Sequence, residues 1–183
     1  MGADTAFQVV VLNGGSSSGK SSLCRAFQNL RQETWLRVGV DTVFDMVAPR
    51  VAESLIGANG TVSLEVEEFR RAEEFFRRGV AEMVRAGARV LIDEVFLSGP
   101  AGADRWHEAL AGASILWLGV RCDPAEAERR ERARGDRVPG MARIQATLVH
   151  RGMHYDLELD TTATDPKSLA EALAARLASS GQG

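Results

Sequence analysis

Near the start of the chain an apolar run, Val9-Val10-Val11-Leu12, gives way to Asn13-Gly14-Gly15-Ser16-Ser17-Ser18-Gly19-Lys20-Ser21. The spacing Gly14-x-x-x-x-Gly19-Lys20-Ser21 is that of a phosphate-binding loop. Glycines let the backbone turn so that successive N–H groups point inward at one anion. A helix beginning near Lys20 adds the positive end of its dipole. Lys20 can reach the β- and γ-phosphates, and the Ser21 hydroxyl is of the kind that ligates Mg²⁺. Gly14, Gly15, Ser16, Ser17, Ser18, Gly19, Lys20 and Ser21 are therefore expected to bind ATP with Mg²⁺. A dinucleotide fingerprint does not fit, because Ser16 stands where G-x-G-x-x-G needs its second glycine.

Motors, switches, synthetases and kinases all share such a loop, so the reaction must be read from other residues. Asp41 ends the stretch "WLRVGVD". In an open α/β sheet ligands bind at the carboxyl ends of strands, which puts the segment after a second strand near the transferable phosphate. A carboxylate there could take the proton of an alcohol attacking the γ-phosphorus. It would also serve as a helix N-cap before "TVFDMV". Asp45, one turn on, is a weaker second candidate. Asp93 follows "VLI" at the end of another apolar run and is expected beside Mg²⁺, directly or through water, or else in a sheet-end hydrogen bond. Glu94 must point the other way if the strand continues.

A third group of candidates is basic. The segment 124–137 holds Arg129, Arg130, Arg132, Arg134 and Arg137. A small-molecule kinase needs cations that close over the phosphates and exclude water. Arg130, Arg134 and Arg137 are expected in that role, on a lid of approximately 124–140. Glu126, Glu128 and Glu131 offset part of the charge, so other arginines there make surface pairs of little energetic weight.

These side chains need a frame. Residues 7–13 read as a strand buried on both faces, followed by a helix over 22–30. Further strands are expected at 35–41, 88–96, 114–122 and 155–161. Helices are expected at about 63–86, 103–111, 124–137, 141–150 and from Pro166 to the C-terminal region. In the long helix Phe69, Ala72, Phe76, Val80 and Met83 recur at steps of three and four, and Gly87 ends it. The segment 42–63 carries Pro49, Gly57, Asn59 and Gly60, which interrupt any helix. Strands alternating with helices imply an α/β fold of three layers, a five-stranded parallel sheet with helices on both faces. The 183 residues are expected to form one P-loop kinase domain.

Composition narrows the partners. The chain is 45% hydrophobic with a formal net charge of −3, and no long basic tract argues for nucleic acid. No apolar stretch approaches the ~18 residues of a membrane span. The first residues, Met1-Gly2-Ala3-Asp4, carry an acid where a secretion signal carries bases, so a cytoplasmic location is expected. Cys24 and Cys122 have no metal spacing and read as buried thiols. His107, His150 and His154 share no motif and read as packing or surface side chains. Trp35, Trp106 and Trp117 are candidates to line an aromatic acceptor pocket, with core packing favoured for Trp117. A homo-oligomer is possible.

The stretches "VLNGGSSSGKS", "WLRVGVD", "ARVLIDEVF", "LGVRCDPAEAERRERARGDRVPGMA" and "YDLELDTT" together resemble the chloramphenicol phosphotransferases of antibiotic-producing actinomycetes. The likeness runs from about residue 8 to 162, in the same order and spacing. It implies a nucleotide-kinase-like fold and transfer of the γ-phosphate of ATP to the 3-hydroxyl of chloramphenicol, which inactivates the antibiotic. It carries the nucleotide loop onto Gly14 through Ser21, the base onto Asp41, and the lid arginines onto Arg130, Arg134 and Arg137. Residues 44–68, where acceptor pockets of such kinases are shaped, depart from the pattern. Rival readings are a kinase of another small alcohol or of a nucleotide sugar, and an ATP-dependent switch or adaptor.

Overall fold

The computed structural model describes residues 7–54, 66–134 and 140–179. Its centre is β1 (Val9–Asn13), whose five residues are all buried. Such a strand must be covered on both faces and paired on both edges. β1 pairs in parallel with β3 (Arg89–Glu94) on one side and β4 (Ile115–Arg121) on the other. β2 (Trp35–Gly39) lies outside β3, and β5 (Leu157–Asp160) outside β4, giving the order β2-β3-β1-β4-β5. The expected five-stranded parallel sheet is thus the observed one. The chain leaves β1 between two neighbours that come later in sequence, and a crevice opens at the strands' carboxyl ends at such a reversal.

Two helices cover one face. α1 (Lys20–Leu30) presents Leu23, Cys24 and Phe27, and α8 (Pro166–Ser179) presents Leu169, Leu173 and Leu177. The other face is covered by α4 (Glu67–Arg85) and α5 (Pro100–Ala109), through Val80, Ala81, Val84, Ala103 and Trp106. Burial of a large aliphatic or aromatic side chain stabilises by roughly 1.5–3 kcal/mol, so these two layers hold the sheet rigid beneath the crevice. Trp117 is buried, with the His107 ring 4.4 Å from it, and both cysteines are buried free thiols.

Several element ends differ from the sequence expectation. β2 stops at Gly39, and α2 (Val40–Met46) begins at once, so Asp41 lies in the first turn of a helix, not at the end of a strand. Gly39, the last strand residue, packs so close to the paired strand that a Cβ there would overlap the Asp93 carbonyl. Pro49 opens a second short helix, α3 (Pro49–Ser54), in its first position, where the missing N–H costs nothing. Pro49 thus opens a helix rather than ending one, in a segment whose sequence leaves helix or loop open. Residues 55–65 lie outside the described residues. Pro100 likewise starts α5, three residues earlier than its apolar pattern indicates.

α6 (Pro124–Arg134) and α8 share one opening device, an Asp-Pro pair. The Asp123 Oδ1 accepts from the N–H groups of Ala125 and Glu126 at 2.8 and 3.1 Å. Asp165 Oδ1 does the same for Lys167 and Ser168 at 3.0 and 3.1 Å. In both, proline sits at the first helical position. α6 packs on α7 (Met141–Leu148) through Ala127 and Ala142. The buried Glu131 accepts from the N–H groups of Gly140 and Ala142 at 2.6 and 2.8 Å, so a carboxylate of α6 caps α7.

Candidate active site

The loop after β1 closes on itself around Lys20. Gly19 has φ +92° and Ser17 φ +56°, left-handed conformations that turn successive N–H groups the same way. Gly14 and Gly15 are glycine for lack of room. A Cβ on Gly14 would lie 2.6 Å from the Val120 carbonyl oxygen, and one on Gly15 would lie 2.9 Å from the Ala146 nitrogen. α1 starts at Lys20 with no side-chain cap and no acid in its first turn, so its positive end is left for an anion.

Lys20 Nζ donates to the carbonyls of Gly14 and Gly15 at 2.7 and 3.0 Å and lies 3.8 Å from Asp93 Oδ1. Burial lowers its pKa; the carboxylates of Asp93, Asp41 and Glu94 push in the opposite direction. The ammonium thus senses the two acids that end β3 and the acid in the first turn of α2. Ser21 Oγ donates to Asp93 Oδ2 at 2.8 Å, and Arg37 Nε lies 3.9 Å from the same oxygen. Ser17 Oγ and Ser18 Oγ are buried without a hydrogen-bond partner. Orphaned hydroxyls, inward amides and an adjacent serine–aspartate pair are the donor set a phosphate with Mg²⁺ requires, and the residues present fit that group.

A cleft of about 550 Å³ runs from Ser17–Ser22 past Arg37 and Asp41 to Arg129, Arg130 and Arg134. It brings together the loop, Asp41 and two of the three candidate arginines; Arg137 lies outside the described residues. Asp45 does not line this cleft. Arg130 is spent on structure as well as charge. Its Nε donates to Glu126 at 2.8 Å, and its Nη2 donates to the Thr161 carbonyl at 2.7 Å. Two arginine hydrogen bonds pull Glu126 down to about 2.

Sequence reasoning missed two tethers. Thr161, just past β5, donates its hydroxyl to the Ser18 carbonyl at 2.6 Å. Gln145 of α7 accepts from the Ser16 N–H at 2.8 Å. Both span more than a hundred residues, so no local pattern announces them. Asn13 is the third fixed point. Its amide donates to the Val149 carbonyl and the Tyr155 hydroxyl, both at 2.7 Å, and its Oδ1 accepts from Phe96 N–H at 3.0 Å. His150 Nδ1 lies 2.7 Å from the same Tyr155 hydroxyl, and burial lowers the His150 pKa to about 4. His150 is a packing histidine, as its lack of motif implies.

A second, larger cleft of about 1090 Å³ lies between α4, α5 and the chain leaving β3. Five arginines and five glutamates of the described residues line it, with Val40, Phe96 and Trp106. Of the segment expected to shape an acceptor pocket, 44–68, only Glu67 is among its described lining residues, so the walls come from α4 and α5 instead. Glu94, on the opposite side of β3 from Asp93, accepts from Trp106 Nε1 at 3.3 Å. Burial, and then the nearby Glu73, push its pKa up to about 7. Strand alternation announces its direction but not what it meets.

A glycine-rich loop between a central parallel strand and a helix, with an acid at the end of the neighbouring strand, is the nucleotide-binding arrangement of P-loop proteins. The chain belongs to the chloramphenicol phosphotransferase-like family, whose pattern matches residues 7–178. A Mycobacterium tuberculosis protein whose name proposes O-phosphotransferase activity is 32% identical over 181 residues, covering 91% of this chain and 80% of its own. Among solved structures, an unliganded sugar kinase from Janibacter superposes with a TM-score of 0.67 at 17% identity, covering 93% of this chain and 94% of its own. The Mycobacterium tuberculosis APS kinase CysC, in complex with AMPPNP and APS, superposes at 0.62 with 15% identity, covering 95% and 99%. The likeness to the two structures shows the fold; the family makes this chain a phosphotransferase of the kinase kind. No helix among the described residues is long and apolar enough to cross a membrane.

Proposed function

We propose that this enzyme transfers the γ-phosphoryl group of ATP, with Mg²⁺, to a hydroxyl of a small molecule, and that chloramphenicol, at its 3-hydroxyl, is the first acceptor to test. One observation carries the reading. The phosphate loop and Asp41 line a single cleft, and Val40, the residue before Asp41, lines the neighbouring one. The first turn of α2 therefore stands between a place for phosphates and a place for an acceptor.

The roles follow from position. Loop amides, the start of α1 and Lys20 hold the β- and γ-phosphates. Ser21 and Asp93 would hold Mg²⁺, which when bound supplies positive charge to the phosphate oxygens. Asp41 accepts the alcohol proton as the alcohol oxygen bonds to the γ-phosphorus and the bond from that phosphorus to the bridging oxygen breaks, releasing ADP. Arg130 and Arg134 stabilise charge on the group in flight and help exclude water. Arg137 is assigned to the same lid by its place in the sequence. The whole chain acts as one domain in this reading.

The test is ADP release by the purified protein with ATP and Mg²⁺, with and without chloramphenicol, and the mass of the product. Stimulated release with a gain of about 80 Da, one HPO₃, establishes reaction and acceptor together. Bound ATP with no stimulation by chloramphenicol removes that acceptor and sends the assay to other alcohols. Nucleotide-dependent capture of a partner without any acceptor-stimulated turnover would instead favour a switch.

A further inference from the structure

The larger cleft must recognise an acceptor by something other than the hydroxyl that reacts. Much of its charge sits on helix surfaces and is already matched: Arg78 with Glu74 at 2.5 Å, and Arg105 donating to Ser98 Oγ at 3.2 Å. Glu94 differs. It sits at the end of a strand and lines the cleft, its Oε1 taking a long hydrogen bond from the buried Trp106 and its carboxyl group a second interaction from the Val95 N–H. Arg77, the half-buried arginine of the same wall, turns to Glu73 at 4.0 Å. A carboxylate can accept about four hydrogen bonds, and a partly buried one holding so few is costly until something completes its set.

The position of Glu94 says what that something must reach. Asp93 turns to Ser21 on the phosphate side, so the next residue on the strand serves the other cleft. Val40 and Asp41 divide between the same two clefts on α2. An acceptor in the larger cleft would meet Glu94 there and turn its reacting hydroxyl past Val40 toward Asp41.

We propose that Glu94 is a specificity-determining residue for the acceptor: its incompletely satisfied carboxyl group accepts a hydrogen bond from a second O–H or N–H of the substrate, which is therefore a diol or an amino alcohol and not a simple alcohol. This rests on the phosphotransferase reading above. Arg77 and Glu73 set the polarity of the wall, while Trp106 orients the carboxyl group through its N–H and offers its indole as an apolar surface.

The experiment uses the full chain with three matched acceptors: a phenylpropanol, the corresponding phenylpropanediol and the corresponding aminophenylpropanol, identical except for H, OH or NH₂ on the benzylic carbon. Wild-type kcat/KM should be about tenfold or more higher for a donor-bearing compound than for the phenylpropanol. The two donor-bearing arms distinguish a hydroxyl from an ammonium. Glu94→Gln, which keeps the volume and the Trp106 bond, should shrink that ratio mainly through KM, and Glu94→Asp should restore part of it. Equal kcat/KM for all three compounds overturns the proposal. So does a Glu94→Gln variant that lowers all three by one factor, the signature of a merely structural role. Absence of ADP release with every acceptor counts against the phosphotransferase reading itself. Glu94 is then judged by thermal shift alone: donor-dependent stabilisation lost in Glu94→Gln supports it, and equal shifts for the three compounds overturn it.

Discussion

The phosphate cleft is built largely from backbone, whereas the cleft between α4 and α5 is built from side chains. In the first, the backbone of the glycine-rich loop and the start of α1 form the surface, held by Thr161 and Gln145 from distant elements. In the second, arginines and glutamates from two helices face one another around Glu94. Backbone cannot be exchanged by point mutation, so the first surface is tied to one class of ligand. A wall of helical side chains can change residue by residue without moving the sheet. Conserved chemistry on one side and an adjustable acceptor on the other is how one fold comes to serve many alcohols.

The sharpest way to break this comparison is Lys20→Ala. The loop should lose both nucleotide affinity and turnover, the latter by roughly 10³-fold, comparable to removing a preorganised charge at a developing oxyanion. Unaltered ATP titration and activity would remove Lys20 from the cradle. Asp41→Asn, at the edge shared by both clefts, should lower kcat on the order of 10²-fold or more while calorimetric ATP binding stays close to wild type. Wild-type turnover in that variant would mean the base is elsewhere.

Smaller effects separate the two walls. Arg77→Ala should raise the acceptor KM by about tenfold, the loss of one charge-assisted contact, with the nucleotide KM little changed. A matching rise in both constants would show that the α4 wall is not a separate site. Thr161→Val, which removes the hydroxyl tether to Ser18, should cost about 1 kcal/mol, read as a several-fold weaker nucleotide Kd with acceptor KM intact. An unchanged Kd would make that tether a bystander.

The sheet, the loop and Asp93 were legible because each depends on local pattern: apolar runs, glycine spacing, an acid ending a strand. Asp41 was legible as a residue but not in its setting. "VGVD" alternates like a strand, yet β2 ends at Gly39, where the backbone lies against the Asp93 carbonyl, and α2 begins with the next residue. Thr161, Gln145 and the walls around Glu94 were not legible, because they are contacts between segments far apart in the chain. The helices at 40–46 and 49–54 were hidden by Pro49, which reads as an interruption yet serves as a first residue.

The strand order also sets a timetable for synthesis. Val9 pairs with Val90 and with Ile115, and no earlier strand adjoins β1. At translation rates of about 5–20 residues per second, this all-apolar segment leaves the ribosome and waits roughly 4–16 s for its first sheet partner. During that interval the nascent chain carries uncovered an apolar strand that the folded protein buries completely.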